Sequence, residues 1–457
     1  MSEAGTLELA STPDRVANGG GAYVVLLATL CIGQLGRIPL ISSELKNAPI
    51  LALDVGVGLL WLLLMLYVVR HPNAIRFEKT SLFVTLFASW SLLGIVLTAS
   101  RYGLSVSQIA FSSMYTARWL FYFGVYLWLT TVPGDDAAPQ IVSRLTTAIL
   151  AFAVFGIFQS AFLPDFAFMV YPEAVPYHTW DIQGHRLVST FLDPNFAGNL
   201  IGVALLLMLP AIVRRGGSLS IRFLLLLVAL FLTASRGSVG GVLIGGIIVL
   251  WTVGFRAGLR LLPKLAAVGL AVLFVSVVAS WAAGTPSILN AAIAYLHDYN
   301  KLTITDPSAL DRLWSWAKDI ELVVMHPITG IGFDTLGFVQ DRVLGVYRSD
   351  NASFGLDGGL LFIAALTGIV GVILYMWIMG LAVVRGIRLA RDKHAPTWAR
   401  DVGAATVGAT LMWVAQGFFV NSLLYPFLMV TFWLLWGLVT MAWRERRSWQ
   451  PVGAPTA

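Results

Sequence analysis

Apolar residues in this chain run in long blocks separated by short polar stretches that carry most of its charge. A hydrocarbon core of roughly 30 Å takes about 20 helical residues to cross, so each block predicts a membrane-spanning helix. Twelve are predicted, near residues 22–41, 49–69, 80–99, 114–132, 143–163, 196–213, 221–235, 237–254, 264–283, 358–384, 402–420 and 424–443. Residues 1–21 are polar and glycine-rich and read as a disordered cytoplasmic tail, and 444–457 read as a cytoplasmic tail. The pattern predicts an all-α, polytopic membrane protein in which two connections are long, 164–195 and 284–357. Long loops outside a compact bundle are more often functional than decorative. An active face, if present, is therefore expected on the side of these two loops.

The larger loop, 284–357, has a pattern of its own. In ALDRLWSWAKDIELVVMHP, Leu313, Trp316, Ala317, Ile320, Val323 and Val324 recur at spacings of three and four, with Arg312, Ser315, Asp319 and Glu321 on the other side. That is an amphipathic helix, too short and too charged to span, expected to lie along the membrane surface or roof the bundle. It should end at His326, because Pro327 disfavours helical geometry in the residue before it.

Composition removes the soluble alternative: 58% of the residues are hydrophobic and 12% charged, far from the balance of a soluble domain. The net charge of +6 does not indicate nucleic acid, since the basic residues sit in short runs at helix ends, as the positive-inside rule predicts. Those runs follow helices 2, 6, 8, 10 and 12 and place both termini in the cytoplasm. The first apolar block begins at Ala22 and flows into GRIPL without a small-residue cleavage site, so it is expected to remain as a helix. The single cysteine, Cys31, lies within it and excludes a disulfide or a thiolate metal site within one chain. No P-loop, no GxGxxG after a strand and no HExxH occurs, so no cofactor and no metal is expected.

Candidate chemistry gathers on the outer side, where basic residues are otherwise scarce. Arg236 stands in the short turn TASRGSVGG between two apolar runs; a guanidinium so near hydrocarbon is costly and tends to sit where an anion needs it. In GHRLVSTFLDPNFAGNL, Asp193 and Pro194 read as the N-cap and first position of a helix, and Arg186 and Asn195 stand beside an amide-rich helix start that favours phosphate. Arg312 and His326 flank the amphipathic helix, about 21 Å apart at 1.5 Å per residue, too far to touch one small group. His326 would favour the negative end of that helix, whereas Arg312 gains nothing from the dipole. In SDNASFGLDGGLLF, Asp350 or Asn351 folds a turn and Asp357 caps a helix, or a carboxylate of this segment takes a proton from an attacking hydroxyl. With Arg101 and Arg118, these arginines suit a lipid-linked diphosphate at the outer leaflet, because a planar guanidinium binds phosphate oxygens bidentately. Two other classes compete. A transporter for a small anionic or sugar substrate would use the arginines to attract it, yet most spans lack ionisable residues in their middles and no repeat relates the halves. A scaffold in an envelope complex would leave the arginines free to change.

Four stretches resemble the O-antigen ligase and Wzy-type polymerase family: GHRLVSTFLDPNFAGNL, TASRGSVGG, DRLWSWAKDIELVVMHPITGIGFDTLGF and SDNASFGLDGGLLFIAALTGIVG. The likeness runs over roughly residues 80–440. It implies about twelve helices, a large periplasmic loop before the last few, and residence in the bacterial inner membrane with a periplasmic active face. It further implies transfer of an undecaprenyl-diphosphate-linked glycan to a hydroxyl of a glycan or lipid A-core acceptor, without a metal, with a chain-length regulator among the partners. On this resemblance Arg186, Arg236 and Arg312 would hold diphosphate or acceptor, with Arg118 and Asn195 beside them and His326 in the catalytic set. Ligases of the family often carry His-Asn where this chain has Asp350-Asn351, and polymerase-like members more often Asp-Asn, so the resemblance favours a polymerase with Asp350 in place of the histidine.

Overall fold

The computed structural model describes residues 20–42, 47–133, 137–163, 165–170, 186–261, 263–264, 266–267, 270, 307–345 and 356–449. The helices are α1 (Gly20–Ile32), α2 (Ala52–Arg70), α3 (Lys79–Tyr102), α4 (Val106–Thr131), α5 (Ala138–Phe162), α6 (Phe166–Val170), α7 (Pro194–Arg214), α8 (Ile221–Leu232), α9 (Arg236–Val253), α10 (Phe255–Leu259), α11 (Pro307–Met325), α12 (Leu336–Leu344), α13 (Leu360–Arg391), α14 (Thr397–Gly417) and α15 (Pro426–Glu445). Seven of these, α2, α3, α5, α7, α9, α13 and α15, are long and apolar enough to cross a membrane. Helices α1 and α8 are shorter apolar helices, and α4 and α14 pack among the spans. The predicted ninth span, 264–283, lies almost wholly outside the described residues.

The predicted first span is cut short. Its helix ends at Ile32, and the chain passes through Gly33–Gly36 into an antiparallel ribbon, β1 (Arg37–Ser42) and β2 (Asn47–Leu51). Gly33 takes a left-handed φ of 59°, a conformation open to glycine at little cost. Pro39, three residues past Gly36, could not have donated to a continuing helix. The tenth span, predicted to end at 384, runs to Arg391; Arg388 and Arg391 in its last turn favour the negative helix end.

Small residues set the closest helix approaches, the usual device where apolar area alone cannot hold helices together in lipid. Helices α9 and α14 cross at Gly245 and Gly408, where a Cβ on either would stand 2.7 Å from the other's carbonyl oxygen. Helix α13 is broken at Gly368 (φ 66°, ψ −174°). The Pro327–Gly332 turn docks into the break: Ile369 N–H donates to the Pro327 carbonyl and Ile331 N–H to Ala365, both at 2.9 Å. Trp90 of α3 donates to the Thr367 carbonyl at 2.8 Å. Backbone groups released by the kink are thus satisfied by protein, as a buried or lipid-facing break requires.

The helix ends that the charge pattern assigns to one side do meet there. Glu78 pairs with Arg444 at 2.5 Å and Arg385 at 3.2 Å, Arg214 with Asp401 at 2.7 Å, and Arg446 with Asp392 at 2.9 Å. The opposite face gathers the starts of α7, α9, α13 and α15 and the end of α14.

Candidate active site

Arg236 opens α9, and the turn before it is built tightly. Ser235 is the N-cap, accepting from the Ser238 amide at 3.2 Å, and Ala234 holds a left-handed φ of 47° that a residue with a Cβ seldom adopts. Arg186 locks this turn: its Nε donates to the Thr233 carbonyl at 2.9 Å and an Nη to the Ala234 carbonyl at 3.3 Å. The Leu187 amide donates to the Leu232 carbonyl in parallel, at 2.9 Å. Arg186 therefore stands beneath the Arg236 turn as its brace.

Asp193 caps α7 as the Asp-Pro pair predicts, accepting from the Asn195 and Phe196 amides at 2.7 and 3.1 Å. Asn195 joins α7 to α9: its side chain accepts from Ser235 at 2.7 Å, and its carbonyl accepts from Ser238 at 2.9 Å. Gln416, at the end of α14, donates to that same carbonyl and to Ser238, both at 2.8 Å, and accepts from Asn199. This buried polar cluster was not legible from charges, because none of its members is charged; a glutamine inside an apolar run is the signal that would have found it.

Beyond Gln416 the chain turns through Phe418 and Phe419, and here the separate motifs converge. A Cβ on Gly237 would lie 3.7 Å from Phe419, and one on Gly359, just before α13, would lie 2.5 Å from the Gly417 carbonyl. Arg312 of α11 donates to the Phe419 carbonyl at 3.1 Å, and Trp316 to the Phe418 carbonyl at 2.9 Å. Arg236 and Arg312, separated by 76 residues in sequence, thus flank one turn. The starts of α7, α9 and α13 are around it, α7 capped by the Asp193 carboxylate and α9 by the Ser235 hydroxyl.

Helix α11 is amphipathic as predicted, with its faces placed in an unexpected way. Its apolar side points outward, Ile320 being 53% and Val324 72% exposed, while Ser315, Asp319 and His326 are buried against the bundle. Trp316, grouped with the apolar side by spacing, faces the Phe418–Phe419 turn. Glu321 is exposed and paired with Lys318 at 2.8 Å. The inner wall is the physical reason: it offers polar partners, the Phe418 and Phe419 carbonyls to Trp316 and Arg312 and the Arg101–Tyr102 pair to His326. Asp319 is 0% exposed, and among the described residues neither of its oxygens has a hydrogen-bond partner.

His326 follows the last turn of α11, as Pro327 predicts, in a different role from a charge at a helix end. Arg101 donates to Nδ1 at 2.5 Å and the Tyr102 hydroxyl meets Nε2 at 2.8 Å. A guanidinium only donates, so Nδ1 accepts, and the neutral ring carries its proton on Nε2 toward Tyr102. Burial, then the Arg101 charge, hold the imidazole below its ordinary range. Both nitrogens are engaged, which makes His326 the joint between α3 and α11. Arg118 lies elsewhere on this face, donating to Asp54 at 3.0 Å and to the Pro49 carbonyl at 2.5 Å. Tyr122 donates to the same Asp54 at 2.7 Å. Asp350 lies outside the described residues.

Fold and site together define a multi-pass helical membrane protein with a guanidinium-bearing site at one end of the bundle. Residues 221–376 match the family model described as O-Antigen ligase, which bears out the resemblance seen in the motifs. The matched stretch runs from α8 into α13, taking in Arg236, Arg312 and His326 and leaving out Arg118, Arg186 and Asn195. The match supports a glycan-transfer role in the assembly of O-antigen or a related polysaccharide. No curated protein matches the chain.

Proposed function

We propose that this protein transfers an undecaprenyl-diphosphate-linked oligosaccharide to a hydroxyl of an acceptor glycan at the periplasmic face of the inner membrane. Among family activities we favour the polymerase, on Asp350-Asn351, over ligation to lipid A-core. The observation that carries the reading is that Arg312 and the start of α9 that carries Arg236 meet at the Phe418–Phe419 turn, among three helix starts. As the acceptor oxygen attacks the anomeric carbon, the bond to the diphosphate oxygen breaks and its electron pair leaves with the diphosphate. Negative charge then grows beside guanidinium groups already held in place, with little cost of reorganisation at the moment of reaction. A diphosphate-activated donor carries its own leaving group, so no nucleotide is needed. Arg186 and Asn195 act by fixing the Arg236 turn. In this reading Arg118 braces the outer ends of α2 and α4 through Asp54, and the hydroxyl proton goes to a carboxylate, for which the resemblance names Asp350.

The test is an Arg236→Ala variant in a strain lacking its own copy. Removing one donor of charge stabilisation costs about 10²–10³ in rate, so polymer should fall by at least about 100-fold while the protein stays at its normal level in the membrane. Single repeat units accumulating on the carrier would identify a polymerase; long carrier-linked chains without their anchor would identify a ligase. Glycan at the wild-type level from this variant would overturn the reading.

A further inference from the structure

A buried carboxylate with no partner is costly, and proteins seldom keep one on a helix that faces a site unless it is used there. Asp319 is such a group: 0% exposed, with neither oxygen hydrogen-bonded among the described residues. It lies on the face of α11 that carries Arg312 and Trp316, two turns beyond Arg312, which places the two Cα atoms about 10 Å apart. Its cover is the glycine turn before α13: a Cβ on Gly358 would stand 2.8 Å from the Asp319 carboxylate. Gly358 and Gly359 both take positive φ, 135° and 48°, so what closes over the carboxylate is glycine backbone and not a side chain.

We propose that the Asp319 carboxylate, in place of that of Asp350, takes the proton of the attacking acceptor hydroxyl, an inference that rests on the glycan transfer set out above. Attacking and reacting atoms stand about 3–3.5 Å apart, and a base stands about 2.6–3.2 Å from the oxygen it serves, so the acceptor hydroxyl reaches the buried carboxyl only where the Gly358–Gly359 backbone parts from it. The hydroxyl oxygen bonds to the anomeric carbon, the carbon–oxygen bond to diphosphate breaks with its pair on the diphosphate, and the hydroxyl hydrogen passes to Asp319. Product release returns that proton to solvent.

The surroundings set the pH at which this works. Burial, and then the neighbouring Asp357 charge, push the Asp319 carboxyl up to about 8, near the pH at which a general base is most effective. On its own helix Arg312 is engaged by the Phe419 carbonyl, and the Lys318–Glu321 pair lies on the other side. The neutral His326, held by Arg101 of α3, is two turns on. Asp341 and Arg342 are the charges of α12, where Arg342 donates to the Tyr102 carbonyl. The turn between α14 and α15 carries no charge.

Polymer growth by pulse labelling, in the deletion strain carrying Asp319→Asn, Asp357→Asn, Asp350→Asn or Arg236→Ala, tests the assignment over roughly pH 5.5 to 8.5, the outer face sharing the pH of the medium. Loss of a general base costs about 10²–10⁴-fold, so Asp319→Asn should grow polymer at least about 100-fold more slowly, with no rise toward alkaline pH. Asp357→Asn keeps the base and removes the charge that raises it, so its alkaline rise should move to lower pH even if Asp319→Asn fails to reach the membrane. A wild-type rate in Asp319→Asn, an unmoved rise in Asp357→Asn, or a pH response abolished by Asp350→Asn alone would each overturn the assignment. An inactive Arg236→Ala beside an active Asp319→Asn would leave glycan transfer standing and remove only this step; wild-type polymer from Arg236→Ala would remove both.

Discussion

At the scale of single residues, the site depends on side chains that hold other side chains. Arg186 shows this most directly, because its guanidinium is spent on two carbonyls of a turn in which Ala234 is left-handed. A residue with a Cβ in that region costs of order 1–3 kcal/mol, held by its surroundings. Replacing Ala234 by Gly should therefore raise the thermal stability of the purified protein by about 1 kcal/mol and leave polymer production near normal. Arg186→Ala should cost activity on the scale of Arg236→Ala with the protein still present in the membrane; an Arg186→Ala variant of normal activity would show that the brace is dispensable. His326 supports a pH prediction. Its folded value lies below the ordinary 6.5, so the folded state binds the proton less readily than the unfolded chain does. The stability it contributes is present above 6.5 and lost as pH falls through its folded value. Thermal midpoints in detergent should drop as the pH is lowered from neutral, and His326→Gln should flatten that part of the curve; an unchanged slope in the variant would show that the ring does not titrate there.

At the scale of elements, the apolar blocks gave good positions for the helices, since length and hydropathy are properties of the segment alone. What they missed depends on partners. The end of α1 at Ile32 follows from Gly33 packing on Thr190, where a Cβ would stand 2.6 Å from its carbonyl oxygen, a residue 157 positions away. The break at Gly368 follows from the Pro327–Gly332 turn that enters it. Spacing recognised α11 as amphipathic, and Arg312, Ser315, Asp319 and His326 at intervals of three, four and seven shared one face in plain sight. Which face turns inward was decided by the neighbours, with lipid outside and a polar site within. The arginines of the site were legible because charge is rare in such a chain, while Gln416, Asn199 and Ser238 were not, being uncharged. Glycine positions give the element-scale prediction. Gly408 meets the Gly245 carbonyl, whereas a Cβ on Gly240 would meet nothing within 4 Å. Gly408→Ala should lower stability by about 1–3 kcal/mol through overpacking and reduce the amount of protein in the membrane. Gly240→Ala, in the same crossing pair, should be neutral or gain up to about 1 kcal/mol from helix propensity. Equal thermal midpoints for the two variants would show that the α9–α14 approach is looser than the carbonyl contacts imply.

At the scale of the whole molecule, the substrate that can reach the site depends on which end of the bundle faces out. The ion pairs of Glu78, Asp401 and Asp392 with arginines gather at one end, and the Arg236–Arg312 turn lies at the other. A membrane keeps lysine and arginine in short loops on its cytoplasmic side because they resist translocation, so the site end should be periplasmic. Single cysteines read this directly once Cys31 is replaced by alanine. Ser107, exposed at the start of α4, belongs to the site end, and Ser218, exposed between α7 and α8, to the ion-paired end. A membrane-impermeant maleimide should label Ser107→Cys in intact spheroplasts and Ser218→Cys only after lysis. The opposite pattern would turn the site toward the cytoplasm, where the arginines would meet nucleotide phosphates in place of an exported lipid-linked glycan, and the glycan-transfer reading would lose its donor.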